Sequence, residues 1–244
     1  MFPYHDENEC RRTPYVTIAI IVLCTLAWLI VQGAGREQPV AASVCNLGLI
    51  PGELTGQLAP GASFPMGNGW VCESEAGRHV LNIFTSMFLH GSWMHLLGNM
   101  WFLWLFGNNI EDSMTRPRFA VFYLLCGLAA ALLQVISQPH SVIPMVGASG
   151  AISGVMGAYL LLFPKVRVHT FVIIFSVTLP AWVMLGYWML LQLAGGLTQE
   201  GTEGGVAFWA HVGGFAAGLL LVKLFVRDDH LAMHRENVWR PLQG

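Results

Sequence analysis

The amino-acid sequence predicts an all-α integral membrane protein with six transmembrane helices. Its 244 residues are 55% hydrophobic and only 11% charged, and the mean hydropathy is +0.56. In a soluble domain, about a quarter of the residues are usually charged. The apolar residues also gather in runs of roughly twenty, which is the length that a helix needs to cross about 30 Å of hydrocarbon.

Six apolar runs define the predicted spans. Their approximate limits are 15–34, 92–110, 118–137, 149–163, 169–194 and 206–226. The first run is too long for the core of a signal peptide and further apolar runs follow it, so we interpret it as a retained helix. A long loop rich in Gly and Pro, 35–91, separates the first two spans. The predicted organisation is therefore a cytoplasmic tail 1–14, a six-helix membrane domain 15–226 and a second cytoplasmic tail 227–244.

The basic residues predict the orientation of the chain. If the N-terminus is cytoplasmic, ten of the twelve Lys and Arg residues fall on the cytoplasmic side, and only Arg36 and Arg78 fall outside. Lys and Arg are concentrated in cytoplasmic loops of membrane proteins, so both termini are predicted to be cytoplasmic. Spans two, four and six then run from outside to inside, and their N-terminal ends lie at the same outer depth.

Polar side chains within the spans are the candidates for function, because they are costly in a membrane. They lie near the outer ends of the three inward-running spans. They are His90, His95 and Asn99 around the start of span two, Ser149 in the sequence Gly147-Ala-Ser-Gly150 at the start of span four, and His211 in span six.

Stripes of small residues indicate which spans pack closely. Small residues four positions apart allow two helix backbones to approach in lipid. The stripes are Gly150 and Gly154 on span four, and Gly214 and Gly218 on span six. If these faces meet, Ser149 and His211 come within hydrogen-bond reach, and a serine beside a histidine base is the minimal activated nucleophile.

The remaining polar residues of span two suit a supporting role. His95 and Asn99 share one helix face, and both can donate hydrogen bonds to a developing oxyanion. The only carboxylates of the spans are Glu111 and Asp112, at the cytoplasmic end of span two. Because Glu111 lies about 24 Å from His95 along a helix, it is too far away to orient His211. The sequence predicts a Ser149–His211 dyad and not a triad.

Purely structural interpretations compete with this hypothesis. A serine in a membrane helix usually bonds back to its own backbone, and we interpret Ser153 in this way. A histidine inside the membrane can be a structural hydrogen-bond partner, and glycine stripes can serve packing alone. The catalytic interpretation is favoured because a nucleophile, a base and two donors converge at one depth.

These segments resemble the rhomboid family of intramembrane proteases. The resemblance covers about residues 15–226, and Gly107–Asp112 and Leu47–Pro51 are similar to the corresponding segments of bacterial members. Its motifs are the segment Thr85–Asn99 with His90, His95 and Asn99, the turn Gly147–Gly150, and Ala210-His-Val-Gly-Gly214 with Gly218.

The resemblance implies a serine endopeptidase that cleaves single-span membrane proteins within or near the outer part of their transmembrane segment. It implies no metal or cofactor, a bacterial inner membrane location, and substrate entry past the fifth helix. Ser149 is implied as nucleophile, His211 as general base and acid, and His95, Asn99 and the Ser149 backbone N–H as the oxyanion hole. Because hydrolysis in lipid needs water, we also expect a polar cavity that opens to the outer side. Its expected lining is His90, His95, Asn99, Ser149 and His211, with Gln134 or Gln192 as further wall residues and Gly147 and Gly150 at its border.

The sequence departs from the family pattern at two places. Leu81 and Asn82 occupy the positions where many relatives have a Trp-Arg pair, so another residue, with Trp70 and Arg78 as candidates, is expected to anchor the first outer loop. Ser153 occupies the position where some relatives have a Tyr that stacks on the base. The base must therefore be held in another way.

Two other functions remain open at this point. One is a catalytically silent rhomboid-like chaperone or adaptor, although such proteins typically lose the serine or the histidine. The other is a small transporter, which would be expected to show inverted repeats or broken helices. The net charge of −2 indicates no nucleic-acid partner, and the substrate and the oligomeric state are not predicted.

The cysteine positions allow one disulfide. Cys45 and Cys72 both fall in the outer loop. In an oxidising compartment they can form a bridge, and the alternative is two unpaired thiols. No Cys and His spacing suggests a zinc site.

Overall fold

The computed structural model describes residues 1–67, 69–74, 80–198 and 205–232, and this part of the chain is mostly helical. The helices are α1 (Tyr15–Leu26, extended by a π-helical turn Ala27–Val31), α2 (Glu37–Leu47), α3 (Pro51–Leu54), α4 (Asn82–Thr85), α5 (Trp93–Phe102, extended by a π-helical turn Leu103–Gly107), α6 (Asn108–Asp112), α7 (Arg116–Ser137), α8 (Ser149–Leu162), α9 (Ala181–Thr198) and α10 (Phe208–Phe225). The strands are β1 (Phe2–Asp6), β2 (Ser63–Gly67), β3 (Trp70–Glu73), β4 (Arg167–Val172) and β5 (Phe175–Pro180).

Most of the predicted spans coincide with helical runs. Span one corresponds to α1 and its π-helical turn, and span two to the continuous run from α5 to α6. Spans three, four and six correspond to α7, α8 and α10. By length and composition, α7, α9 and α10 are able to cross a membrane, whereas Tyr15–Val31 and Ser149–Leu162 are shorter apolar helices. Of the predicted tail 227–244, the structure describes residues 227–232 only.

The prediction that span five begins at residue 169 is wrong. Residues 167–180 form the antiparallel hairpin β4–β5, and the helix of this span begins at Ala181. The hairpin is rich in Val, Ile, Thr and Phe, which favour strands and are also apolar. A short apolar run of this kind cannot be assigned to a helix or a strand by hydropathy alone.

The centre of the protein is the packing of α10 against α8 and α7. Glycines bring α8 and α10 into backbone contact. A Cβ atom on Gly214 would collide with the carbonyl oxygen of Gly150, and one on Gly218 would collide with that of Gly154. A Cβ on Gly154 would also collide with Cys126 of α7. The small-residue stripes therefore face each other and allow an approach that larger residues would prevent.

The acidic residues at the end of the α5–α6 run are structural. The carboxylate of Glu111 accepts hydrogen bonds from the backbone N–H groups of Val16 and Thr17 at 3.0 and 2.8 Å. This places a negative charge at the N-terminus of α1, where the helix dipole favours it. The neighbouring Asp112 forms an ion pair with Arg12 at 2.8 Å. Both carboxylates hold the beginning of α1 against the end of α6.

The N-terminal tail carries a strand that completes a three-stranded antiparallel sheet in the order β1-β4-β5. Asp6, at the end of β1, is buried. One oxygen of its carboxylate accepts hydrogen bonds from the Tyr159 hydroxyl at 2.5 Å and from the Asn109 amide at 3.0 Å. Burial raises the pKa of Asp6 to about 7, although the hydrogen bond from Tyr159 opposes the shift. The tail 1–14 is therefore packed against the helices.

The segment between α1 and α5 is held by a disulfide and by backbone contacts. Cys45 in α2 is bonded to Cys72 in β3, which confirms the bridge considered from the sequence. The Asn82 side chain donates hydrogen bonds to the carbonyls of Asn46 and Gly48 at 3.2 and 2.9 Å. Asn82 therefore anchors the segment 46–48 from a position where many relatives have Arg. Of the two anchors expected from the sequence, Trp70 begins β3, and Arg78 lies outside the described residues.

Candidate active site

Ser149 is the first residue of α8, and the turn before it is shaped by a glycine. Gly147 has a φ of +128°, a conformation that side chains disfavour. A Cβ atom at this position would lie 2.8 Å from the Nε2 atom of His95 and 3.5 Å from the Nδ2 atom of Asn99. Glycine is therefore required for both reasons, and its lack of a side chain lets the turn before Ser149 pack directly against His95 of span two.

His211 lies in the first turn of α10 and meets Ser149 across the glycine contact. The distance between His211 Nε2 and Ser149 Oγ is 2.8 Å, although the residues are 62 positions apart in the sequence. Both side chains are half-buried. The structure therefore brings together the predicted nucleophile and base in hydrogen-bonding geometry.

Gln192 of α9 holds the other side of the histidine. Its Oε1 atom lies 2.7 Å from His211 Nδ1. An amide oxygen only accepts hydrogen bonds, so Nδ1 carries the proton and Nε2 is left free to accept one from Ser149. From the sequence, Gln192 is predicted only as a wall residue of the cavity. Its contact with His211 depends on the placement of α9, which no motif reveals.

The histidine ring is also packed against an aromatic residue. The ring of Trp188 lies 5.7 Å from that of His211, at an angle of 40°. Ser153 takes no part, because its hydroxyl donates to the carbonyl of Ser149 at 2.6 Å, which confirms its interpretation as a serine bonded to its own helix. Trp188 and Gln192, both from α9, thus hold the base where some relatives use a Tyr at the position of Ser153.

His95 and Asn99 face the turn at Gly147 from the opposite side. Ser92 caps α5 by accepting a hydrogen bond from the His95 backbone N–H at 3.1 Å, which fixes the start of this helix. The Nδ2 atom of Asn99 is buried and has no hydrogen-bond partner within the described chain. An amide donor without a partner, close to the turn at Gly147, is available to an incoming oxygen atom.

His90 is completely buried behind His95. The two rings meet edge to face with centroids 5.1 Å apart. Gln32, at the end of the first helical run, accepts from the His90 backbone N–H at 2.8 Å and donates to its carbonyl at 2.7 Å. Neither ring nitrogen of His90 has a partner among the described residues. Gln32 was not identified from the sequence, because a single glutamine at a span end carries no pattern.

The second wall residue considered from the sequence has a different position. Gln134 of α7 accepts a hydrogen bond from the Ala210 backbone N–H at 3.1 Å and so ties α7 to the start of α10. Beside it, a small cavity is lined by Ala130, Gly147, Gly150 and Ala210, together with other apolar residues. Among the described residues, no group of three or more His, Cys, Asp or Glu side chains could hold a metal ion.

Comparison with known proteins gives consistent matches over the region of the site. A family model described as Rhomboid domain matches residues 77–228. The chain is 31% identical over 144 residues to Rhomboid protein 1, mitochondrial, of Saccharomyces cerevisiae (57% of this chain and 40% of that protein). It is 31% identical over 148 residues to Rhomboid-like protease 5 of Toxoplasma gondii (59% and 16%). It is 30% identical over 149 residues to RHOMBOID-like protein 1 of Arabidopsis thaliana (61% and 35%). The aligned part is thus less than half of the length of each of these relatives.

Proposed function

The chain belongs to the rhomboid family of integral membrane proteins, and from this premise we propose that it is a serine endopeptidase that cleaves single-span membrane proteins. The cut falls within or near the outer part of the transmembrane segment of the substrate. The observation that carries the proposal is the hydrogen bond of 2.8 Å between Ser149 and His211. A relative of similar sequence is named as a protease.

The proposed topology has six spans within residues 15–226, with the tails 1–14 and 227–244 in the cytoplasm. The distribution of Lys and Arg supports this orientation. The helical runs that begin at Trp93, Ser149 and Phe208 then all enter from the outer side. The active site opens to that side, and the membrane is the inner membrane of a bacterium.

The proposed reaction begins with Ser149. Its Oγ attacks the scissile carbonyl while His211 Nε2 takes the hydroxyl proton. His211 then returns this proton to the leaving amine, and a water molecule, activated in the same way, hydrolyses the acyl-enzyme. Gln192 keeps the proton of the imidazole on Nδ1 throughout, because its Oε1 accepts from that atom.

The oxyanion of the tetrahedral intermediate needs donors that are already in place. The proposed donors are the Nδ2 group of Asn99, the ring of His95 and the backbone N–H of Ser149. The unused donor of Asn99 and the close approach of His95 and Asn99 to the turn at Gly147 support this assignment. The site needs no cofactor in this mechanism, since every proton transfer has a side chain that performs it.

The substrate must expose a carbonyl that a membrane helix normally keeps hydrogen-bonded. Substrates with Gly, Pro or other helix-weakening residues near the scissile bond are therefore preferred. The turn residues Gly147 and Gly150, on either side of Ser149 in the sequence, border a small cavity that is lined largely by Ala and Gly residues. A small side chain next to the scissile bond fits this space.

A fluorophosphonate probe tests the proposal directly. The purified protein in detergent is expected to be labelled at Ser149 and to cleave a model single-span substrate, and Ser149→Ala is expected to lose both properties. Ser153→Ala is the matched control, because this serine lies one turn further along α8 and bonds only to backbone. Cleavage that survives Ser149→Ala would exclude the mechanism. Absence of labelling and cleavage in the wild type would favour a silent chaperone or adaptor, or a small transporter.

A further inference from the structure

The sheet β1-β4-β5 has an apolar tip that the proposed chemistry does not use. The hairpin turn Ile173-Ile174 is 91% and 78% exposed, and Phe175 beside it is 69% exposed. Phe2 and Phe171, which pair across β1 and β4, are also exposed. Five large apolar side chains at one end of a small sheet form a surface that water disfavours.

The contacts of β1 with the helical run of span two determine how far the tip reaches along that span, from its cytoplasmic end toward its middle. At one end of β1, Asp6 accepts a hydrogen bond from Asn109, three residues before the end of α6 at Asp112. At the other end, the Trp101 indole donates to the carbonyl of Pro3 at 2.7 Å, and Phe2 stacks on Trp101 with centroids 5.8 Å apart. Trp101 and Asn109 are about 12 Å apart along a helix. The strand therefore rises from the predicted cytoplasmic end toward the middle of the span.

The strand pairing carries the hairpin to the same height. Phe2 is the register partner of Phe171, and the turn Ile173-Ile174 lies just beyond that pair. Since half of the hydrocarbon layer is about 15 Å thick, a tip raised by about 12 Å lies within the cytoplasmic leaflet.

The exposed face of the sheet becomes less polar from its base toward its tip, as insertion of the tip into lipid requires. Near the base, His169 contacts Glu7 and Thr178, each at 3.0 Å. In the middle, the Tyr4 hydroxyl is hydrogen-bonded to Ser176 at 2.7 Å. A tyrosine at this level is typical of a membrane interface. Ser176 is the register partner of Phe171, and beyond this pair the hairpin carries only apolar side chains, those of residues 172–175.

The turn itself is unusual for a surface in water. Two-residue hairpin turns commonly contain Asn or Gly, because at least one residue has a positive φ. Here Ile173 has a φ of +58°, which is strained for a β-branched side chain. A pair of exposed isoleucines makes no favourable interaction with water at this turn, and it is consistent with a lipid environment.

We propose that this tip, formed by Phe2, Phe171, Ile173, Ile174 and Phe175, inserts into the acyl chains of the cytoplasmic leaflet. Its occupant is lipid because the tip is continuous with the lipid-facing surface: Trp101 beside it is 39% exposed, and β5 leads directly into α9, where Trp182 is 57% exposed. Insertion is limited to the tip, since a free sheet edge is not tolerated deep in hydrocarbon. The inference rests on the proposed topology but not on catalysis.

Nitroxide accessibility in liposomes tests this proposal. The label is placed at Ile174→Cys, and the matched control is Thr178→Cys at the base of β5, both with Cys10→Ser to remove the partly exposed thiol. Label at 174 is expected to collide several-fold more with oxygen and several-fold less with a water-soluble nickel chelate than label at 178. A second tip position, Phe175→Cys, guards against a local disturbance of the turn.

Water-like accessibility at both 174 and 175 would overturn the proposal. The experiment is done in Ser149→Ala protein, so its outcome does not depend on proteolysis. If the wild-type protein fails to cleave but the labelled Ser149→Ala protein shows the expected accessibility, the proposed function is excluded and this inference stands.

Discussion

At the scale of single residues, the least expected contact is the one between Gln192 and His211. A triad protease uses a carboxylate to hold the base, but an unpaired carboxylate is costly inside a membrane. A neutral amide oxygen at 2.7 Å selects the same tautomer without that cost. Since Gln192 lies on α9, past which the substrate is proposed to enter, the orientation of the base depends on the position of this helix.

The role of Gln192 is tested by two substitutions of similar size. Gln192→Met removes the acceptor and is expected to lower kcat about tenfold, the effect of losing one net hydrogen bond, with KM little changed. Gln192→Glu retains an acceptor oxygen and is expected to retain more activity than Gln192→Met. Equal activity of the Met variant and the wild type would show that Gln192 does not position the base.

A second residue-scale prediction concerns the buried carboxyl of Asp6. Its pKa is raised from 3.8 to about 7, so the folded protein holds a proton that the unfolded chain releases. The contribution of Asp6 to stability is therefore highest at low pH and falls as the pH rises through this window, by up to about 4 kcal/mol. Asp6→Asn keeps an oxygen that can accept from Tyr159 and Asn109, and it is expected to raise the melting temperature more at pH 8 than at pH 5.

Thermal unfolding in detergent at the two pH values measures this effect. The control is Glu9→Gln, three residues further along the tail and exposed. An equal change of melting temperature at pH 5 and pH 8 for Asp6→Asn would show that the carboxyl does not titrate in this range.

At the scale of elements, the sequence predicts the long apolar helices well because length and composition define them. It also places Ser149 and His211 together, since the facing stripes of Gly150 and Gly214 are visible as a pattern. The hairpin β4–β5 is missed because its Val, Ile and Phe residues are as apolar as those of a membrane-spanning helix. The hydrogen-bonding roles of three further residues are missed, because their contacts join elements that are distant along the chain. These residues are Gln32, Asn82 and Gln192.

The contact between α8 and α10 gives a prediction at this scale. Gly218→Leu adds a side chain where even a Cβ atom collides with the backbone of Gly154. The helices must separate, so we expect a loss of stability of about 1–3 kcal/mol and a loss of fluorophosphonate labelling at Ser149. In the control Gly186→Ala, the new Cβ has no neighbour within 4 Å, so labelling should be retained. Normal labelling of Gly218→Leu would mean that this contact does not align the dyad.

At the scale of the whole molecule, orientation determines on which side of the membrane the site opens and in which leaflet the sheet lies. Ten of the twelve Lys and Arg residues fall on one side of the proposed arrangement. Reversing the chain would carry these ten charges across the membrane, against the distribution that governs insertion. The glutamate that caps α1 and the dyad would also exchange sides, since they lie at opposite ends of the bundle.

Labelling with a membrane-impermeant maleimide in intact cells decides the orientation. Gln38→Cys, on the exposed surface of α2, is expected to be labelled without permeabilisation. Asp228→Cys, just after α10 and exposed, is expected to be labelled only after permeabilisation, with Cys10→Ser in both proteins to remove the cytoplasmic thiol. The opposite pattern would place Ser149 and His211 on the cytoplasmic side, where the proposed substrates do not present the outer part of their transmembrane segments. It would also move the sheet β1-β4-β5 out of the cytoplasmic leaflet.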